Sequence, residues 1–406
     1  MGSKKFPRSE GSLHLRALVR VLLVNHSARP FNGGANRVVV ETCQFLANAG
    51  HDVMLAYFDE GPVAVGCPVR SLPNGGRPGE LRALIQEWKP DVLQLHSVQG
   101  ESLLQEAATI PTTVFLHDQT WFCAAGDRMK RDFSPCHRPH GLSCLFWNYA
   151  QGCGRKSPRG NVLFWRRTQS LQQVRHHPQM RLQVASGFMR EGLLENGHDP
   201  ARIDQVPLYA PVPKPSGIGQ EPGLLFLPSR LVPPKGVQVA LRAVAQLRNP
   251  HWRLVIAGDG WHRAPLEKLS RSLGLQDRVQ FIGEVSPDDV ADWYDRCELV
   301  LFPVLRPEPF GLVGVEAMSH GRALVGFGGG GADEWFRDGE AAVRVSERTP
   351  EALAAGIDGL LSDRPRIQQL AAGARRHYPR FHPDAYLTRL LASFERAIRD
   401  FRDARR

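Results

Sequence analysis

Cysteine is scarce and scattered: there are seven in 406 residues. No two of them stand the roughly two to four residues apart of a tight metal-binding pair. So thin a set excludes a disulfide-stapled secreted domain. No uninterrupted apolar run approaches the roughly 18–20 residues of a membrane span. The start, MGSKKFPRSEGSLHLR, is basic and polar with no apolar core behind it. VRVLLVNH, which follows, is too short for a leader and reads as a strand, so a soluble, cytoplasmic protein is expected. No repeat of short period runs through the chain. Asp-x-Asp is missing throughout, and with it the paired carboxylates that would hold magnesium against a diphosphate.

What is present is ordinary globular material, 42% hydrophobic and 23% charged, enough for two to three domains. Lysine and arginine number 51 against 41 acids, a net charge of +10. That excess favours a polyanionic partner: nucleic acid, an anionic membrane surface or a phosphorylated substrate.

Short apolar runs alternate with helical patterns. Val19–Asn25, Asp52–Phe58, Val92–His96, Thr113–His117 and Leu182–Ser186 read as strands, with helices at Ala35–Ala49 and Glu80–Trp88. Residues 120–175 break this rhythm and hold four of the cysteines. PLYAPVPKPSGIGQEPG, residues 207–223, reads as a linker. A second series follows: Leu224–Ser229, a helix from Gly236, Arg253–Ala257, Val279–Ile282, Leu299–Val304 and Ala323–Gly326. Tyr386, Leu387, Leu390, Leu391, Phe394 and Ile398 form one helical stripe near the end. Uniformly apolar strands separated by helices predict parallel sheets covered on both faces. The fold class is therefore α/β, with two domains: 1–206, carrying an insertion at about 120–175, and 224–380. Residues 381–406 are expected to pack back on the first domain. Ligands of such sheets sit at the C-terminal strand ends, so the expected site is a cleft between the two sheets.

The richest motif follows Leu299–Val304. In LRPEPFGLVGVEAMSHGRALV, Glu308 and Glu316 stand eight residues apart. Pro309, Phe310 and Gly311 read as a turn before a helix, whose free amides at Leu312 and Val313 suit a phosphate. Glu316 is placed to accept ribose hydroxyls, and Glu308 sits at the strand end where a reacting centre would lie. Upstream, LPSRLVPPKG sets Arg230 and Lys235 on the loop after Leu224–Ser229, two cations suited to a diphosphate.

These pieces resemble the retaining glycosyltransferases of family 4, which have the GT-B fold of two facing Rossmann-like domains. The matching segments are FNGGANR, FLHD, SGFMREGLLENG, SRLVPPKG, IAGDG, FIGEV, EPFGLVGVEAM and GGGGADEWFRDGE, in family order over about 300 residues. The resemblance implies a nucleotide-sugar substrate, UDP- or GDP-linked, with no cofactor and no metal ion required. It implies that Arg230 and Lys235 bind the diphosphate, that Glu316 holds the ribose and that Glu308 contacts the sugar. It further implies that His117 hydrogen-bonds a sugar hydroxyl, that Gly33 and Gly34 admit the phosphates and that Val285 flanks the base. Phe310, Gly311, Leu312 and Val313 would complete the donor site, and residues 328–331 would surround the sugar. The acceptor would be a saccharide or lipid-linked saccharide of envelope or exopolysaccharide assembly, bound by the first domain. Two rivals are a sugar-nucleotide epimerase or phosphorylase and a non-catalytic basic binder. The first lacks identifiable extra acid–base groups or a cofactor lysine, and the second any nucleic-acid recognition signature.

Two features stay open. Cys123, Cys136, Cys144 and Cys153 have 12, 7 and 8 residues between them, with His137 and His140 nearby. They read as packed thiols or as the ligands of a structural zinc ion. The segment from Arg155 to His177 mixes cations with Phe164 and Trp165, as a solvated helix or as a basic element resting on an anionic membrane at its inner face.

Overall fold

A strand with no polar alternation has to be buried on both faces, and the apolar runs are used in that way. The computed structural model describes residues 18–27, 33–58, 66–72, 78–96, 101–153, 157–177, 179–214, 216–217 and 219–406. The polar start, Phe31 and Asn32 of the first motif, and Arg155 and Lys156 lie outside the described residues. In the first half the strands are β1 (Arg20–Asn25), β2 (Asp52–Tyr57), β3 (Val69–Ser71), β4 (Val92–His96), β5 (Thr112–Leu116), β6 (Met180–Val184) and β7 (Ile203–Gln205). In the second they are β8 (Leu224–Pro228), β9 (Arg253–Ala257), β10 (Val279–Gly283), β11 (Leu299–Phe302), β12 (Ala323–Gly326) and β13 (Ala342–Arg344). Every residue of β4, β5, β6 and β11 is buried.

Both sheets are parallel, as shown by the pairings of β1 with β2 and β4, and of β8 with β9 and β11. Their orders are β3-β2-β1-β4-β5-β6-β7 and β10-β9-β8-β11-β12-β13. In each, the chain reverses direction of growth beside its first strand. The switch points therefore lie between β1 and β4 and between β8 and β11, where open α/β sheets bind ligands. The strands that sequence periodicity did not show, β3, β7 and β13, are the three-residue edges. Runs so short carry too little pattern to be read.

Between β5 and β6 the insertion forms helices Ser143–Ala150 and Pro158–Leu171 on otherwise irregular chain. The second helix starts on Ser157, whose hydroxyl accepts the Gly160 amide, with proline following at the first helical position. The last helix, Pro383–Asp403, returns to the first sheet, packing on β4, β5, β6 and helix Gly34–Asn48. Its buried face includes Tyr386, Leu390, Phe394, Ala397 and Phe401.

A buried polar network fastens that return. Arg181 of β6 grips Asp204 of β7 with two bonds of 2.8 Å. Asp204 also accepts from Ser393 at 2.6 Å and Arg396 at 2.9 Å, both on the last helix. Burial pushes the Asp204 carboxyl up, but Arg181 and Ser393 outweigh it and hold the group below its usual range. Removing it takes two of the charged hydrogen bonds of buried Arg181, which keeps only Asp400 as a carboxylate partner. Asp204→Ala is therefore expected to cost about 3–5 kcal/mol of stability. Urea unfolding checks this, and Asp204→Asn, which keeps the Ser393 contact, should lose less.

Candidate active site

The second switch point is built by backbone packing. Gly236 has φ +73°, and a Cβ there would lie 1.8 Å from the Pro303 carbonyl oxygen. Only glycine allows that approach. The Leu305 amide donates to the Pro234 carbonyl at 2.9 Å, so the exits of β8 and β11 are clamped together. The clamp brings Lys235 and Glu308 into contact, with Nζ 2.9 Å from Oε1. Arg306 adds a second cation at 3.3 Å from the same oxygen.

Glu308 is 5% exposed. Burial pushes its carboxyl up, but Lys235 and Arg306 outweigh burial and hold it below the usual range. Burial draws the Lys235 ammonium down against the pull of Glu308, with Arg306 and Arg230 lowering it further. Arg230 itself is exposed at the mouth of the site. Its loop is held by the Leu231 amide donating to the Asp259 carbonyl at 2.9 Å, within the IAGDG segment.

Beyond Glu308 the chain turns through Gly311, at φ +84°, into helix Leu312–Ser319. Among the described residues no side chain caps this helix, whose first amides include those of Leu312 and Val313. The Phe310 ring is buried against Phe381, and its carbonyl accepts from the Trp335 indole at 2.8 Å. Phe310 therefore braces the turn and offers its side chain to no ligand. Residues 328–331 lie on the same turn: Gly331 donates to the Glu308 carbonyl at 2.6 Å. Val285, past the end of β10, is half-buried.

The first domain meets this region directly. Gly33 has φ +94°, and the Cβ position of Gly34 is 3.2 Å from Leu312 Cδ1, so the first loop reaches the helix start. The Gln119 side chain donates to the Pro307 carbonyl at 2.8 Å. His117 stands two residues before Gln119, just past the end of β5. Its Nε2 is 2.8 Å from Nδ1 of buried His96, and the two rings stack.

Glu316 is fully engaged. One oxygen accepts from Arg37 at 2.7 Å and the other from Tyr294 at 2.9 Å. Burial, then Glu316, pushes the Tyr294 hydroxyl well up, so it stays protonated and donates. The pair spans the domains, since Arg37 follows Gly34 on the first helix. Glu316 opens onto a cleft also lined by Glu41, Pro213, Asp288 and His320.

Cys123, Cys136, Cys144 and Cys153 lie apart from the donor loops and line one cavity inside the insertion. Sequence reasoning missed Arg306, Arg37, Tyr294, His96 and Gln119. The signal for Arg306 and Arg37 was their place inside quoted motifs. The other three are specified only by tertiary contacts.

Two family profiles together cover residues 33–377, one on each domain. The 4-like glycosyl transferase domain matches residues 33–209, and glycosyl transferases group 1 matches residues 211–377. The chain belongs to the group 1 glycosyltransferases, with the GT-B fold. Its matched relatives include a D-inositol 3-phosphate glycosyltransferase from Mycobacterium ulcerans, 33% identical over 231 residues. That match covers 51% of this chain and 48% of the relative, so the chain spans about half the length of the curated relatives it matches. An uncharacterized glycosyltransferase, YqgM of Bacillus subtilis, is 28% identical, covering 52% of this chain and 60% of the relative. Among solved structures, Anabaena HepE in complex with UDP and glucose superposes with a TM-score of 0.69 at 19% identity, covering 93% of this chain and 99% of HepE. WaaG, a glycosyltransferase of lipopolysaccharide biosynthesis, gives 0.64 at 18%, covering 92% and 98%. Likeness at that identity establishes the shared fold.

The site and its surroundings carry histidines that resist protonation. Burial lowers His117 to about 4, against a smaller opposite pull from Asp118. Burial, then Arg175 and Arg202, lowers His198 to about 4. Both groups start from 6.5 in the unfolded chain. Between those values the unfolded chain binds protons that the folded glycosyltransferase refuses, so stability falls as pH drops from 6.5 toward about 4. Urea midpoints should fall over this window, and His198→Asn, remote from the cleft, should flatten the slope. An unchanged slope would assign the loss to the other buried histidines, His96 and His117.

Proposed function

We propose that this enzyme transfers a sugar from a nucleoside-diphosphate donor, UDP- or GDP-linked, to a saccharide or lipid-linked saccharide, with retention of anomeric configuration and no metal ion at the donor. The observation that carries this reading is the buried Lys235–Glu308–Arg306 cluster beside an uncapped helix start. Cations of the protein and free amides face the position of a diphosphate at the switch point.

On this reading the bond from anomeric carbon to leaving phosphate oxygen breaks first, with charge developing on both fragments. Lys235 and Arg230 stabilise the departing diphosphate. Ionised Glu308 stabilises the positive sugar from close by. The acceptor oxygen attacks from the face the phosphate leaves, and its proton passes to that phosphate oxygen. No protein nucleophile is needed, and the protein supplies position and field. His117 stays neutral at working pH and offers a hydrogen bond to a sugar hydroxyl. Glu316 exchanges Arg37 for the ribose hydroxyls when the donor enters.

Thermal unfolding with UDP, GDP, ADP and TDP, each with and without magnesium, tests the donor site. A ligand at about 100 times its dissociation constant adds about 2.7 kcal/mol. One nucleotide should stabilise the protein regardless of magnesium, and Lys235→Ala should weaken that nucleotide roughly 10- to 100-fold, as loss of a charged hydrogen bond does. No response to any nucleotide would sink the reading. With the matching nucleotide sugar, proton NMR of the first product should show the donor's anomeric configuration.

A lipid-linked acceptor is favoured by the insertion's surface. Leu142 is 73% exposed, Phe146 66% and Leu163 64%. Tyr149 and Val162 are exposed beside them, with Arg159, Arg166 and Arg167 on the same turns as Val162 and Leu163. Apolar residues ringed by arginine suit an anionic bilayer surface, and no described helix is long and apolar enough to cross one. Phe146→Glu with Leu163→Glu should lower binding to phosphatidylglycerol vesicles about ten-fold, from lost apolar burial and added repulsion, while nucleotide binding is unchanged.

A further inference from the structure

Four of the seven cysteines serve no step of sugar transfer, yet the fold gathers them. Cys123 stands just after the one-turn helix Gln119–Trp121. Cys136 follows the small bridge between Met129 and Pro135, and its amide donates to the Arg128 carbonyl at 2.7 Å. Cys144 sits in the first turn of helix Ser143–Ala150, and Cys153 three residues beyond its end. From these separate elements all four line one small cavity of about 30 Å3. None forms a disulfide, and Cys43, Cys67 and Cys297 lie elsewhere.

The segment around the cavity needs a fastening. From Cys123 to Cys153 the only α-helix among the described residues is eight residues long. Two of the three non-glycine residues described with positive φ, Arg128 and Phe133, fall in it. Its apolar side chains Leu142, Phe146 and Tyr149 face outward, so little core of its own holds it. Small irregular segments of this kind are commonly stabilised by a cross-link or a metal ion.

We propose that Cys123, Cys136, Cys144 and Cys153 bind one zinc ion in a tetrahedral four-thiolate site that fastens the insertion. Four thiols release four protons as four sulfur–zinc bonds form, leaving a net charge of about −2 on the centre. Arg128 and Arg138 line the same cavity and oppose that charge. Arg128 already donates to Glu195 and to the Cys136 carbonyl, while Arg138 lies 3.7 Å over the Trp147 ring. The cysteines are half-buried, which suits an ion with no redox chemistry better than an oxygen-sensitive cluster. Among the described residues no three ligating groups are drawn around a common point. Closing the site turns the cysteine side chains into the space they line.

The centre would also act on the donor site. The Phe133 carbonyl, between Cys123 and Cys136, accepts from Arg348 of the second domain at 3.4 Å, and the Gln119 side chain, four residues before Cys123, donates to the Pro307 carbonyl beside Glu308. Loss of the ion would loosen one wall of the cleft.

Metal analysis of the full-length wild-type chain, purified without chelator after growth with zinc, should find about one zinc per chain. A thiol-specific mercurial should release it. Cys144→Ser and Cys153→Ser should each weaken retention roughly ten-fold or more in a chelator competition, while Cys67→Ser keeps it. Cobalt loaded in place of zinc should show the charge-transfer absorption of thiolate ligands in a tetrahedral site. Two results would overturn the proposal: no stoichiometric metal, before or after reconstitution with zinc under reducing conditions; or iron with labile sulfide. None of these readouts depends on nucleotide binding, so the donor-site reading stands or falls separately.

Discussion

A carboxylate buried beside two cations at the β8–β11 crossing is the constraint on which the second domain's geometry turns. Glu308 is almost wholly out of water. An isolated carboxylate there would shed its charge, because desolvation opposes ionisation. Lys235 and Arg306 reverse that preference. The arrangement demands that two loops 73 residues apart approach at their backbones. Gly236 against the Pro303 carbonyl is the contact that permits it. A side chain at Gly236 would separate the ion pair by pushing the β11 exit away, without touching either charge. The chemistry of this site is therefore held by glycine positions as much as by its charged residues.

The same logic accounts for what could be read from the sequence. The uniformly apolar central strands announce a parallel sheet because nothing else buries them. The central strands were legible to within a residue or two at most ends, whereas β3, β7 and β13 were not, being three-residue edges. Lys235, Glu308 and Glu316 stand out because the loops that carry them have a recognisable order of glycine, proline and charge. Phe310 was read as a donor contact from its place in the motif, but its ring is core. A motif fixes the order of residues along a turn, and the direction of each side chain depends on what packs behind it, here Phe381 and Trp335. His96 and Gln119 could not be found in one dimension. Their contacts, to His117 and to the Pro307 carbonyl, join segments from different strands or domains.

Positive charge is concentrated in two places. Arg230, Lys235 and Arg306 converge on the second switch point, and exposed arginines crowd the insertion. The insertion links the two regions, since Arg348 donates to the Phe133 carbonyl. A first domain that selects the acceptor and a second that holds the donor would communicate through that contact. Such coupling needs no long pathway, because the surfaces already touch.

Glu316 carries the argument a step further. Both of its oxygens are taken, one by Arg37 across the domain boundary and one by Tyr294 within its own domain. If ribose hydroxyls claim this carboxylate, the donor must displace an inter-domain ion pair before gaining its own bonds. The displaced guanidinium stays close to the site, because Arg37 is still held by Glu41, which in turn accepts from Tyr209. A cation released beside a diphosphate has a new anion at hand, so the exchange returns much of what it costs. Linkage is reciprocal: whatever holds Arg37 on Glu316 weakens donor binding, and a bound donor weakens that tie between the domains by the same factor. On the proposed reading the nucleotide and the domain boundary would compete for one carboxylate, which would make donor binding and domain arrangement a single equilibrium.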